Sequence, residues 1–165
     1  MSSVSKPADE VTNVVVAGLG GQGVLTASDI LAEAAFLAGL DVKKAEIHGM
    51  SQRGGSVTTD VRFGRRVYSP MVTAGEADFL LVLADDQVEV HRGLLRQGGV
   101  LIGPGAIDSS ALENRRSVNV ALLGFLSRHL NLDVACWRQA IANHIKPQLH
   151  EVNRQAFEVG RGRAD

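Results

Sequence analysis

The sequence has 165 residues, 45% hydrophobic and 21% charged, a make-up that fits a folded globular chain and excludes a disordered or fibrous one. Lys and Arg total 17 against 18 Asp and Glu, so no global field draws the chain to nucleic acid or to an anionic membrane surface. Its single cysteine, Cys136, excludes an internal disulfide, fits a reducing cytoplasm and cannot supply the thiolate set of an iron–sulfur cluster.

Residues 1–12 contain Ser, Lys and Pro without an apolar run and read as a flexible leader, not a secretory signal. Residues 13–165 are expected to form one domain. The apolar runs, such as 79–84, are far too short to cross a bilayer. Residues 13–17 (NVVVA) form a β-branched run that stops at Gly18, as a buried first strand does. Over 24–38, Leu25, Ile30, Leu31, Ala34, Ala35 and Ala38 fall at helical spacing, and Gly39 supplies the C-terminal stop. Residues 42–47 read as the second strand. The opening is thus strand, glycine turn, helix, strand: a Rossmann-like βαβ unit, expected to be parallel and right-handed.

Residues 48–55 are too glycine-rich and polar for a regular element. Val57, Thr59, Val61 and Phe63 then alternate with polar neighbours, and Gly64-Arg65 can turn the chain into 66–69 to give an antiparallel hairpin. The continuous apolar run 79–84 (FLLVLA) predicts a strand buried on both faces. Asp85 is a candidate N-cap for a helix running to Gln97 and stopped by Gly98 and Gly99, with a short strand at 100–102. After the turn-rich stretch 103–110, helices are expected over 120–130, over 134–144 behind an Asp133 cap, and over 148–159 beyond Pro147. The fold class is α/β: three layers (α/β/α), a mostly parallel sheet with an antiparallel hairpin, and a helical C-terminal third.

Two loops carry the candidate chemistry. The first, GLGGQG at 18–23, sets Gly18, Gly20 and Gly23 at G-x-G-x-x-G spacing between a strand and a helix, with Gly21 and Gln22 between them. Glycines there let an anionic group approach the main chain, and the helix N-terminus offers free N–H groups and a positive dipole end. A phosphate-bearing ligand and plain close packing of strand on helix stand side by side as readings. Nicotinamide binding is disfavoured: the acid expected about 20 residues on, at the end of the second strand, would be Glu46, which runs straight into the His48 loop.

The second loop joins His48, Gly49, Met50, Ser51, Gln52, Arg53, Gly54, Gly55 and Ser56. Loops beyond the carboxyl ends of parallel strands line the ligand crevice of α/β proteins, so the two loops should be neighbours. Arg53 could grip a phosphate or carboxylate as a fork; it could equally make interface hydrogen bonds to a partner subunit.

Together, GLGGQG at 18–23 and EIHGMSQRGGS at 46–56 resemble the gamma subunit or gamma domain of the 2-oxoacid:ferredoxin oxidoreductases, most nearly the indolepyruvate-type beta subunit. The likeness continues through Ser69-Pro70, GEAD at 75–78, Gly98-Gly99 and the pattern N-x-x-A-F-x-x-G at 153–160. Two aspartates, Asp85 and Asp86, stand where relatives tend to carry a single glutamate. The resemblance implies a cytoplasmic complex that decarboxylates a 2-oxoacid oxidatively to an acyl-coenzyme A, CO2 and reduced ferredoxin. It also implies partners holding thiamine diphosphate with magnesium and [4Fe–4S] clusters, while this chain has no catalytic residue of its own and is inactive alone. Its role would be to complete the assembly, with a coenzyme A contact open to it.

The remaining residues carry less. The histidines His48, His91, His129, His144 and His150 form no metal-ligand spacing, so no metal site is expected. Cys136 reads as a small buried hydrophobe. The turn Asn114-Arg115-Arg116 reads as a solvated basic turn. No G-x-S-x-G elbow surrounds Ser51, so a hydrolase is unsupported. Two alternatives remain, a stand-alone nucleotide- or phosphate-binding α/β module and a scaffold that has kept the fold without a ligand.

Overall fold

The computed structural model describes residues 10–48 and 55–162, with His48 described by its backbone alone. Strand β1 (Thr12–Leu19) leads through the glycine turn into helix α1 (Val24–Leu37), then strands β2 (Asp41–His48), β3 (Ser56–Gly64) and β4 (Ala77–Val82). Helix α2 (Val88–His91) is a single turn flanked by the 3-10 turns Asp85–Gln87 and Arg92–Leu94, and β5 (Leu95–Ile102) follows. Three 3-10 turns lead to helices α3 (Val118–Ser127), α4 (Val134–His144) and α5 (His150–Gly160).

The sheet order is β2-β3-β1-β4-β5, with β1, β4 and β5 parallel. β3 runs antiparallel to both of its neighbours, β1 and β2. β1 and β2 therefore point the same way, as expected of the opening βαβ unit, but β3 is inserted between them, giving a split crossover.

The hairpin expected from β3 into 66–69 does not form. Both edges of β3 are already occupied, so residues 66–69 have no strand to pair with. They form instead a strap held by side chains. Asp41 Oδ2 accepts from the Val67 N–H (2.8 Å), Arg62 Nη1 donates to the Ser69 carbonyl (2.6 Å) and Asp60 Oδ2 accepts from the Val72 N–H (2.9 Å). The antiparallel part of the sheet is β3 with its two neighbours, β2 and β1.

The continuous apolar runs become strands buried on both faces. Val14, Val16, Phe79 and Leu81 meet α1, α3 and α4 through Ile30, Leu31, Leu122, Leu123 and Trp137. Val15, Ala17, Leu80 and Val82 face the opposite layer, which is thin: Val88, Leu94 and Val72 of the strap. Asp78, 1% exposed, accepts from Arg96 Nε (2.7 Å) and from the Asn13 N–H (2.8 Å), tying β4 to β5 and β1. On the outer strand β2, charged Asp41, Lys43, Lys44 and Glu46 alternate with partly exposed apolar residues, and Lys44 bonds both Asp29 and Glu46.

The helix expected from Asp85 to Gln97 stops at Leu94, and Ala84, not Asp85, occupies the N-cap position. β5 starts at Leu95 because Ala77 pairs with Leu95, whereas Phe79 pairs with Val100. The extra residues of β5 bulge at Gly98 (φ 76°), so the glycine pair breaks a strand rather than ending a helix. Cys136 is only partly buried, because it lies beside rather than on the Trp137 face of α4. Asp133 does cap α4, accepting from the Ala135 N–H (2.9 Å).

Helices α3 and α5 touch backbone to backbone. A Cβ on Gly124 would lie 2.1 Å from the Phe157 carbonyl oxygen, and one on Gly160 would lie 1.7 Å from that of Ala121. No helix among the described residues is long and apolar enough to cross a membrane.

Burial pushes the Asp60 carboxyl above its usual range, with the Val72 N–H opposing in part. An acid harder to ionise when folded costs stability as pH rises through its folded titration, and the cost is complete above it. Asp60→Asn, which keeps an oxygen for Val72, is therefore expected to raise the melting temperature at neutral pH. The gain should vanish under acid conditions, as thermal melts across pH would record.

Candidate functional site

The carboxyl ends of β1, β4 and β5 lie side by side, and the segments that follow them enclose a crevice of about 850 Å³. Residues 21–23 form one wall, residues 83–85 another, and Ser109, Arg115 and Arg116 the third. Asn119, from the first turn of α3, closes the base.

In the glycine turn, each residue has a separate task. Gln22 folds its side chain back so that Oε1 accepts from the Leu19 N–H (2.7 Å), while its own N–H donates to the Leu19 carbonyl (3.2 Å). Gly18 is needed for packing: a Cβ would lie 2.9 Å from both Gln22 Oε1 and Val24 Cγ2. Gly23 has φ 85°, and a Cβ there would meet Asn119 Nδ2 at 2.5 Å. That amide is held by its own bonds, Nδ2 to the Gly23 carbonyl (3.3 Å) and Oδ1 from the Val120 N–H (2.9 Å). The Gly20 N–H donates to the Gly55 carbonyl (3.0 Å). Gly21 (φ 88°) is the open one, with no neighbour within 4 Å of where a Cβ would stand. Main chain at Gly21 is thus bare toward the crevice, at the mouth of a helix with no acidic residue in its first turn. That arrangement suits an anion.

Of the second loop, Gly55 and Ser56 join the site. Gly55 meets Gly20, and Ser56 pairs with Leu19 across the sheet. Ser56 Oγ also lies 2.8 Å from His91 Nε2, tying the start of β3 to α2, and burial pushes the His91 imidazole below its usual value. His48 ends β2 opposite Val57. Gly49, Met50, Ser51, Gln52, Arg53 and Gly54 lie outside the described residues. The two loops do meet, as expected, through their described ends.

Arg115 and Arg116, a solvated basic turn by sequence, both line the crevice. Asn114 builds their 3-10 turn by accepting from the Arg116 N–H (2.9 Å), and Ser117 Oγ donates to the Asn114 carbonyl (2.5 Å). Neither guanidinium has a side-chain partner among the described residues. The signal that finds them is position: the segment follows the third parallel strand, so it must pass over the crevice. Asp85 adds one carboxylate to the lining of the same crevice.

The other histidines are engaged elsewhere. His144 Nε2 pairs with Glu33 Oε2 (3.0 Å), His150 Nε2 donates to the Ile145 carbonyl (2.6 Å) and His129 packs on Phe79 and Phe125. Among the described residues no three His, Cys, Asp or Glu side chains come together as metal ligands. One partly buried cysteine does not fit an iron–sulfur cluster.

The family described as pyruvate ferredoxin/flavodoxin oxidoreductase matches over residues 13–162. Indolepyruvate oxidoreductase subunit IorB of Thermococcus kodakarensis is 31% identical over 90% of this chain and 93% of its own length. The pyruvate/ketoisovalerate oxidoreductases common subunit gamma of Pyrococcus furiosus is 36% identical over 86% of this chain and 92% of its own. Among solved structures, the 2-oxoglutarate:ferredoxin oxidoreductase of Magnetococcus marinus, with 2-oxoglutarate, coenzyme A and succinyl-CoA bound, shares the fold at a TM-score of 0.78 and 18% identity. It aligns with 94% of this chain and 31% of its own.

Proposed function

Because the chain belongs to the pyruvate ferredoxin/flavodoxin oxidoreductase family, we propose that it is the gamma-type subunit of a 2-oxoacid:ferredoxin oxidoreductase and forms one wall of the coenzyme A site. The reaction converts a 2-oxoacid anion, coenzyme A and two oxidised ferredoxins into an acyl-coenzyme A, CO2, two reduced ferredoxins and a proton. Thiamine diphosphate with magnesium for the carbon chemistry, and iron–sulfur clusters for electron transfer, belong in this reading to partner subunits. Residues 13–165 act as one gamma-type domain, and the setting is the cytoplasm.

The observation that carries the coenzyme A reading is that Arg115 and Arg116, whose guanidiniums have no side-chain partner among the described residues, line the same crevice as the bare main chain of Gly21. Coenzyme A is a long ligand with phosphates at one end and a thiol at the other. Forked guanidiniums and a helix N-terminus hold phosphate oxygens well. Gln22, Gly23 and Asn119 hold the turn rigid, so the site is formed before the ligand arrives. The Ser56–His91 bond fixes the neighbouring strand end in the same way.

The choice of 2-oxoacid falls to the partners in this reading. The Pyrococcus furiosus relative is named as common to two oxidoreductases of different substrate, as expected of a subunit that does not select the oxoacid. An indolepyruvate-like substrate is favoured by the likeness to the IorB subunit.

Reconstitution tests the assignment. Coenzyme A- and 2-oxoacid-dependent reduction of a viologen dye should appear only when this chain is added to its partner subunits. Equal turnover without it, or a chain that purifies alone and binds nucleotides with no partner, would replace this reading by the stand-alone module.

A further inference from the structure

We propose that, within the coenzyme A reading on which this rests, Asn119 is a positioning residue. It couples the two parts of the crevice that attract anions, and it acts through the main chain rather than by holding the ligand. Those parts, the glycine turn at 21–23 and the arginine turn Arg115–Ser117, line one crevice but lie far apart along the chain. Helix α3 starts directly after the arginine turn, and Asn119 is its second residue.

Asn119 is 9% exposed, and both of its polar atoms are committed. Nδ2 donates across 96 positions of chain to the Gly23 carbonyl (3.3 Å), which also accepts the Ala27 N–H of α1 (2.9 Å). Oδ1 accepts from the Val120 N–H (2.9 Å). These partners fix which way the amide points, since the reverse orientation would set oxygen against oxygen. Gly23 fits the amide in return, for a Cβ there would lie 2.5 Å from Nδ2. On the other side Ser117, 3% exposed, donates to the Asn114 carbonyl (2.5 Å) and fixes the arginine turn onto α3. A tied path therefore runs from the arginine turn to the N-terminus of α1. The buried neighbours Val120, Ala121 and Leu122 are apolar, so an alanine would suit the core equally well. What the amide adds is the tie between the two turns.

Steady-state kinetics of the reconstituted complex, with thermal melts alongside, test the role. Asn119→Ala should raise the KM for coenzyme A about 5-fold. Asn119→Asp turns a carboxylate oxygen toward the Gly23 carbonyl and should raise it about 20-fold. kcat and the KM for the 2-oxoacid should change less than about 2-fold. In the Arg115→Gln, Arg116→Gln background, Asn119→Ala should add less than about 2-fold, because positioning matters only while both turns hold the ligand. A merely structural role would multiply the two effects and impair both substrates alike. Asn119→Ser, whose hydroxyl is too short to reach Gly23, reads the same KM if the alanine variant fails to assemble. An unaltered KM for coenzyme A, an equal rise for the 2-oxoacid, or full additivity with the arginine change overturns the proposal. If the arginine change itself leaves that KM unaltered, the coenzyme A reading falls as well. If only the Asn119 variants are silent, that reading stands and the positioning role alone falls.

Discussion

Gly124→Ala is expected to lower the stability of the chain by about 3 kcal/mol or more, shifting the melting temperature down by roughly 6–12 °C. The direction is opposite to intrinsic preference, since alanine is favoured over glycine inside a helix by about 1 kcal/mol. The reason is the contact beneath it. A Cβ at this position would stand 2.1 Å from the carbonyl oxygen of Phe157, a backbone atom of α5 that accepts the Arg161 N–H. Neither helix can yield by rotating a side chain, so α3 and α5 must move apart, and Phe157 would be drawn out of its packing against Trp137. Gly160→Ala makes a closer clash, 1.7 Å from the Ala121 oxygen, yet it sits at the last residue of α5. Gly160 can swing away as the end of α5 frays, whereas Gly124 is fixed inside α3, so the loss should be smaller than at Gly124. Denaturant melts of the two variants would decide the order. A loss below about 1 kcal/mol at Gly124 would mean that the helices part freely.

The double change Arg115→Gln, Arg116→Gln is expected to raise the KM for coenzyme A about 10- to 100-fold in the reconstituted complex, with kcat little altered. Both side chains are exposed and neither is paired within the chain, so the folded state loses nothing when their charge is removed. What is lost is ground- and transition-state binding alike, which appears in KM. Raising ionic strength should increase the KM of the unaltered complex more steeply than that of the variant. An unchanged KM would place the phosphates of coenzyme A elsewhere and leave the crevice without its proposed ligand.

Much of the fold was legible wherever the determinants are local. The run 13–17 announces a buried first strand and 79–84 a strand buried on both faces, Gly39 ends α1, and Asp133 caps α4. What failed was pairing. Nothing in residues 56–63 says that both edges of that strand will be taken, and this decides that residues 66–69 become a strap. Gly98 and Gly99 were ambiguous for a related reason, because the same pair can stop a helix or bulge a strand, and only the register against β4 selects between them. At the site, the glycine turn was visible from its spacing. The arginines were not, because Arg115 and Arg116 acquire meaning from the strand before them rather than from their neighbours in sequence.

The outer strand β2 has a consequence for the life of the chain before assembly. Among the described residues no strand pairs with its outer edge, and such an edge is the template on which sheets of separate molecules grow into one another. Lys43 and Lys44, with Asp41 and Glu46 close by, put charge along that border, and two molecules meeting edge to edge would have to strip water from it. Charge on that border works against a subunit joining others through its sheet before it meets the rest of its complex.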